Sequence, residues 1–372
     1  MGKPAATYQK LRGGYYTPRP IADFLAQWAI RSPEAKVLEP SCGDGALLEA
    51  AVDALVIRGT TIDKAAALKQ GEEIDHTKAE KAETRISRAS NNGVCPNIHV
   101  GDFFAYCKEH LANREFFDVV IGNPPFIRYQ NFPEEHRAVA FQLMQDAGLL
   151  PNRLTNAWVP FLVATTLLLN KHGRMAMVIP AELLQVNYAA ELRNFLSTHY
   201  SYLTLITFKK LVFDGIQQEI VLLLGERNGR EHTGVRTVEL NGLDDLITYD
   251  HSLAPDFKFK EMDHSAEKWT MYFLDNKELE LIRRLRDDSR LTLSGKVIDV
   301  DVGIVTGQNQ FFILNERDIE EFSLRQYALP IVGRSAYLPG SVFHKKDWQE
   351  VVARGLPAYL LQPPNQPFDD LP

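Results

Sequence analysis

At 372 residues, with 45% hydrophobic and 24% charged residues, the chain has the composition of a folded globular protein and exceeds one ordinary domain. Its 41 basic and 48 acidic residues give a net charge of −7, which excludes a uniformly basic nucleic-acid binder but not a local basic face. Three cysteines, Cys42, Cys95 and Cys107, show no CxxC spacing, and no HExxH or Cys/His ligand pattern occurs. No metal is therefore expected, and a reducing cytoplasm is the expected compartment. The apolar stretch at 159–169 falls short of the roughly 20 residues a membrane span needs, so no membrane partner is expected.

Ile21, Phe24, Leu25 and Trp28 recur at helical spacing after Thr17-Pro18, predicting a helix over 21–30. Val37-Leu38 leads into Glu39-Pro40-Ser41-Cys42-Gly43-Asp44-Gly45, and 46–55 reads as helix. Strand, glycine-containing turn and helix in that order open a doubly wound α/β fold. Further strands are predicted at 71–74, 98–100, 119–121, 175–179, 203–208 and 220–224, with helices at 158–170 and 189–198. This alternation implies a mostly parallel, Rossmann-like sheet with helices on both faces. The last two strands, about a dozen residues apart around Asp214-Gly215, are expected to form an antiparallel hairpin at the sheet edge. Residues 225–268 are polar and charged, 278–286 reads as an exposed amphipathic helix, and short strands are predicted at 296–304 and 311–314. A boundary near 290 separates a large α/β domain, 1–290, from a smaller α+β or β region, 291–372.

The strongest local signal is Asn123-Pro124-Pro125-Phe126, directly after the strand ending at Ile121. In open α/β sheets ligands bind at the carboxyl ends of the strands, where this tetrapeptide falls. Two prolines fix the backbone and supply carbonyl acceptors with no amide donors of their own. An amide side chain and an aromatic ring flank them. Such a turn can accept hydrogen bonds from a planar amino group and stack on the ring that carries it; the plainer reading is a rigid turn with an Asn cap.

Around this tetrapeptide the chain resembles the S-adenosylmethionine (SAM)-dependent N6-adenine DNA methyltransferases of the gamma arrangement, closely over 14–225 and more weakly to the end. The resemblance implies the following roles. Tyr15-Tyr16-Thr17-Pro18 closes over the methionine part of SAM, with Tyr16 and Thr17 as contacts. Glu39, Pro40, Gly43 and Asp44 belong to the first SAM-binding turn, the two acids meeting the cationic end of the methionine moiety. Glu73 holds the ribose hydroxyls, Asp102 accepts from the adenine amino group and Phe103 packs on the adenine ring. Asn123, Pro124, Pro125 and Phe126 are catalytic, and Phe213 joins Phe126 in stacking the target base; a core phenylalanine is the competing reading of Phe213. Residues 1–290 become the SAM-binding catalytic domain and 291–372 the start of a DNA target-recognition region shorter than the family's usual one.

An exocyclic adenine nitrogen is a poor nucleophile because its lone pair is delocalised into the ring. Acceptance of both amino hydrogens, by Asn123 Oδ1 and the Pro124 carbonyl, favours a pyramidal nitrogen, and in-line positioning supplies the rest. The base must leave the duplex to be reached. Double-stranded DNA is the expected partner of a monomeric protein, with a separately encoded restriction endonuclease as functional counterpart. With about 14 residues ahead of Tyr15, no fused nuclease is expected. Basic candidates for phosphate contact are Lys209-Lys210, Arg283, Arg284, Arg286, Arg334 and Lys345-Lys346. Alternatives are methylation of protein glutamine or RNA, where Tyr rather than Phe is typical at the fourth position of the turn, and a non-catalytic DNA-binding subunit.

Overall fold

The computed structural model describes residues 16–89, 97–213, 219–227, 233–249, 259–262, 267–299 and 303–363. The expectations at Tyr15, Cys95 and Asp214-Gly215 lie outside them. The chain divides into two compact units, 1–287 and 288–372.

In the first unit, helix α1 (Arg19–Ala29) starts on Pro18 with a further proline in its first turn and buries Ile21, Phe24, Leu25 and Trp28. Then follow β1 (Val37–Glu39), α2 (Ala46–Ile57), α3 (Ile62–Leu68), β2 (Lys69–Glu73), α4 (His76–Ala89), β3 (Ile98–Val100), α5 (Phe103–Asn113) and β4 (Phe117–Gly122). The chain continues through α6 (Glu134–Asp146), α7 (Trp158–Leu167), β5 (Leu169–Pro180), α8 (Ala190–His199), β6 (Tyr202–Phe208), β7 (Ile220–Glu226), β8 (Gly234–Leu240), α9 (Leu243–Thr248) and α10 (Asn276–Asp287).

The strands form one eight-stranded sheet in the order β3-β2-β1-β4-β5-β7-β6-β8. Its pairings are parallel except for β7, which runs antiparallel to both β5 and β6. Successive residues of a strand face opposite sides, so each strand feeds two cores. Leu38, Val120, Met175 and Met177 join a core that includes nearly all of α7. Val37, Val119, Ala176 and Val178 join another, with α1 and α2. This is the layered α/β architecture that the alternation implies.

The hairpin of β6 and β7 is antiparallel, as its short connection suggests. It is not the sheet edge. β8, within the stretch that reads as merely polar, pairs in parallel with β6 from Tyr202↔Gly234 to Phe208↔Leu240 and takes that position. Its Val235, Val238 and Leu240 are buried, while Arg236 and Glu239 dilute the hydrophobic signal.

In the second unit, α11 (Asn309–Phe312), β9 (Ile313–Leu314), α12 (Glu316–Glu321), β10 (Ala328–Pro330), α13 (Lys345–Ala353) and β11 (Tyr359–Leu361) surround a small core of Ile319, Val351, Ala358 and Tyr359. The three strands are antiparallel in the order β10-β11-β9. A reciprocal capping box between Asn315 and Asp318 starts α12. The strand predicted at 296–304 does not form among the described residues: 294–296 is a single 3-10 turn, and Val297, Ile298 and Ile304 are exposed.

All five residues of β2, Lys-Gln-Gly-Glu-Glu, are buried. Glu72 is fully enclosed, accepting from Gln70 Nε2 (2.9 Å) and meeting His99 Nδ1 (2.8 Å). Burial pushes its carboxyl up to about 7. A carboxyl raised in the folded state binds its proton there more tightly than in the unfolded chain. Its stabilising contribution is therefore complete at low pH and lost as pH rises through about 7. Glu72→Gln is expected to gain on the wild type by roughly 3 kcal/mol between pH 4.5 and pH 8, measured by denaturant melts at several pH values.

Candidate active site

The carboxyl ends of β1, β2, β3 and β4 open onto a cavity of about 620 Å³, within the roughly 300–1,000 Å³ of small-molecule sites. It lies where β1 is flanked on one side by β2 and on the other by β4, the point at which the order of the parallel strands reverses. One end is polar, with Ser41, Gly43, Glu73 and Asn123; the other carries Phe103, Phe132 and Phe161.

The turn after β1 is held from below by β2. Cys42 N donates to the Glu72 carbonyl (2.8 Å), and Gly43 N donates to Glu73 Oε2 (2.8 Å). Asp75 N donates to Glu73 Oε1 (2.9 Å), so the Glu73 carboxylate is fixed from two sides on the cavity wall. Gly43 has φ +56° with open space where a Cβ would sit. Gly45, at φ +81°, is tighter: a Cβ there would lie 3.0 Å from Ala82 Cα.

Asp102 caps α5 through Oδ1, which accepts from Ala105 N (2.8 Å), while Oδ2 meets His136 Nδ1 (2.7 Å). His136, on α6, also lies 3.5 Å from Glu135 through Nε2. Phe103 stacks on Phe161 at 5.2 Å with an 11° interplanar angle, and Phe104 meets Phe161 edge-on.

Asn123 Nδ2 donates to Thr17 Oγ1 (3.2 Å), which turns Oδ1 away from Thr17; Ser41 Oγ donates to the Asn123 carbonyl (3.4 Å). Pro124 is buried, and Pro125 lines the cavity. Phe126 does not. It forms a wall of a second cavity, about 420 Å³, with Arg128, Asn156, Trp158, Glu182 and Glu219. The tetrapeptide thus stands between two cavities, its Asn toward one and its Phe toward the other. Ala157 N donates to the Ile127 carbonyl (2.8 Å) and Tyr129 N to Asn156 Oδ1 (3.2 Å), anchoring the outgoing chain on the start of α7.

The structure gathers Tyr16, Pro40, Gly43, Glu73, Asp102, Phe103, Asn123 and Pro125 around the first cavity. Thr17 reaches it through Asn123. Glu39 and Asp44 are off its wall. Asp44 pairs with Arg85 Nη2 of α4 (2.8 Å), and Glu39 is buried, its Oε2 without a hydrogen bond. Burial, followed by the nearby charges of Asp44 and Glu73, holds the Glu39 carboxyl well above the usual range. Phe213 is 8% exposed, lines neither cavity, and packs in the core of α1 and α2 that Phe126 also touches. Sequence reasoning missed His136, Phe132 and Phe161 on the first cavity and Glu182 on the second. His136 follows Glu134-Glu135 at a helix start and reads as a solvated face; only the fold brings it to Asp102.

Among the basic candidates, Arg283 and Arg286 both pair with Glu267 (3.2 and 2.8 Å), itself 6% exposed, and Lys209 pairs with Glu239 (3.2 Å). Lys210, Arg284, Arg334, Lys345 and Lys346 are exposed. Among the described residues no cluster of metal-ligating side chains occurs, and no helix is long and apolar enough to cross a membrane.

The sequence pattern of the family described as N-6 DNA Methylase matches residues 1–281. The chain belongs to that family. A second pattern, the C-terminal domain of Type II methyltransferase M.Eco57I, matches 266–372. Type II methyltransferase M.AccI of Acinetobacter calcoaceticus is 24% identical over 96% of this chain and 63% of its own length. Type II methyltransferase M.HindII of Haemophilus influenzae is 22% identical over 84% of this chain and 57% of its own. The chain thus spans about three-fifths of the length of these relatives. Among solved structures, a DrdV–DNA complex superposes with a TM-score of 0.59 (14% identity, 84% of this chain, 37% of that one). The type IIG restriction endonuclease BpuSI gives 0.56 (16% identity, 95% and 43%). At these identities the likeness is one of fold.

Gly45→Ala places a side chain in the left-handed region and against Ala82, so it is expected to cost about 1–2 kcal/mol or more of stability. Gly43→Ala, with open space at the same sign of φ, is expected to cost less. Paired thermal or denaturant melts of the two variants check the order.

Proposed function

We propose that this protein transfers a methyl group from SAM to the N6 amino group of a flipped-out adenine in a specific duplex DNA sequence, as the modification activity of a restriction-modification system. The observation that carries the proposal is the placement of Asn123-Pro124-Pro125-Phe126 between two cavities. The first cavity fits an adenosyl cofactor. Its aromatic rings with Asp102 suit adenine, and Glu73, fixed on the wall by Gly43 N and Asp75 N, suits ribose hydroxyls. When bound, that cofactor supplies a methyl group activated on a sulfonium.

The chain's own residues prepare the acceptor. Thr17 orients the Asn123 amide so that Oδ1 can accept one amino hydrogen, and the Pro124 carbonyl accepts the other. Phe126 offers its face to the base in the second cavity. The two prolines hold these acceptors rigid before the substrate arrives, so little reorganisation accompanies reaction. The family membership and the likeness to a structure solved with DNA support duplex DNA as substrate. A separately encoded endonuclease as counterpart, and a monomeric state, belong to the same proposal.

Labelled methyl transfer from SAM to mixed-sequence duplex DNA, followed by digestion to nucleosides, tests this. Label in N6-methyladenine is expected, and Asn123→Ala should lower the rate at least about 100-fold while SAM affinity changes only a few-fold. Label in RNA or protein instead, or none from a chain that binds SAM, would overturn the DNA reading. In the cofactor site, His136→Ala is expected to weaken SAM binding several-fold by freeing the Asp102 carboxylate, with the rate at saturating SAM unchanged; titration calorimetry and KM together check it.

A further inference from the structure

Methyl transfer moves one unit of positive charge across the Asn-Pro-Pro-Phe turn. The bond between the methyl carbon and the donor sulfur breaks with its electron pair left on sulfur. The amine lone pair forms the new carbon–nitrogen bond, the nitrogen becomes cationic, and one of its two protons then leaves to solvent. An environment that is negative on the acceptor side stabilises this redistribution before any proton moves.

The second cavity has that character. Two carboxylates, Glu182 and Glu219, line it against one guanidinium, Arg128. Glu182 is built in. The Tyr188 hydroxyl donates to its Oε2, Asn156 Nδ2 lies 3.4 Å from the same oxygen and donates to the Tyr188 oxygen at 3.0 Å, and Oε1 has no partner among the described residues. Burial and the Glu182 carboxylate together push the Tyr188 hydroxyl up, so it remains a donor. Arg193, 1% exposed, fixes the segment behind Glu182 by donating to the carbonyls of Leu183 and Val186 (both 3.0 Å). Trp158, on the cavity wall and 1% exposed, packs its ring beside that of Tyr188, the centroids 6.2 Å apart. Glu219 lies beside the start of this segment, its backbone carbonyl accepting from Ala181 N (3.0 Å) and its side chain exposed.

We infer that Glu182, assisted by Glu219, stabilises the positive charge that develops on the accepting amine, and that the carboxylates on the Phe126 side of the turn are rate-determining electrostatic groups. The inference rests on the assignment of the second cavity to the target base. It goes beyond that assignment by giving charge, rather than shape or stacking, as the property of this wall that the reaction uses.

The test is the rate of methylation of unmethylated genomic DNA at saturating SAM and DNA, with KM for DNA and SAM affinity measured alongside. Glu182→Gln is expected to lose 10- to 100-fold in rate with both affinities within about twofold, and Glu182→Asp to recover part of the loss. Because Glu182 also holds Tyr188, Tyr188→Phe separates the roles: a loss under fivefold supports the charge role, and a loss equal to that of Glu182→Gln overturns it. Glu219 has an exposed side chain, so folding does not confound it. Its rate should fall in the order Glu, Gln, Lys, and an unchanged rate in Glu219→Lys together with one within twofold in Glu182→Gln overturns the proposal. A wild-type protein that methylates no adenine removes the base assignment and this inference together, whereas normal methylation with insensitive carboxylates removes only the inference.

Discussion

Every feature of the site hangs on the parallel pairing of β4 with β1, in register at Val37↔Val119 and Leu38↔Val120. That register puts the turn after β1 and the turn after β4 side by side at the same edge of the sheet, close enough for Ser41 Oγ to reach the Asn123 carbonyl. It is the place where the order of the parallel strands reverses and the connecting segments diverge to opposite faces, leaving a crevice. The rigid Asn-Pro-Pro-Phe turn divides the space above into two compartments. A slip of one residue would exchange the cores on the two faces and carry Asn123 away from both.

From that pairing the two cavities acquire different chemistry. The first takes its polar groups from backbone amides and from acids at the ends of β2 and β3, with aromatic rings of α5 and α7 closing the far end. The second is built on the start of α7 and on the segment following β5, where Asn156, Glu182 and Tyr188 bond one another. A compartment lined by acids and aromatic rings and one with a carboxylate excess thus lie on the two sides of the turn.

Much of this was readable in the residues because the decisive signals are local. Val37-Leu38 with its glycine turn, the strand before Asn123, and the apolar run of α7 each carry their own pattern within a dozen positions. β8 was not readable, because Arg236 on one face and Glu239 on the other break its apolar alternation within a charged stretch, and only the pairing with β6 reveals it. The opposite error occurred at 296–304, where alternation exists but no strand forms among the described residues. Among the residues that line the two cavities, those of the turns carry a motif signal. His136 and Glu182 do not, since each meets its partner through tertiary packing and looks in sequence like an exposed acid or base. Glu39 and Asp44 fall in or beside the turn after β1 yet lie off the cavity wall, one buried and the other paired with Arg85, distinctions a one-dimensional motif does not carry.

The most direct test of the two-compartment account is a crystal structure of the protein with sinefungin, a non-reactive analogue of SAM that carries an amine in place of the methylsulfonium. The account requires its adenine beside Phe103 and Asp102, its ribose at Glu73, and its amine directed at the Asn123 side of the turn, with the Phe126 cavity left for the acceptor. Density for the analogue in the Phe126 cavity, or an adenine away from Asp102, would contradict it.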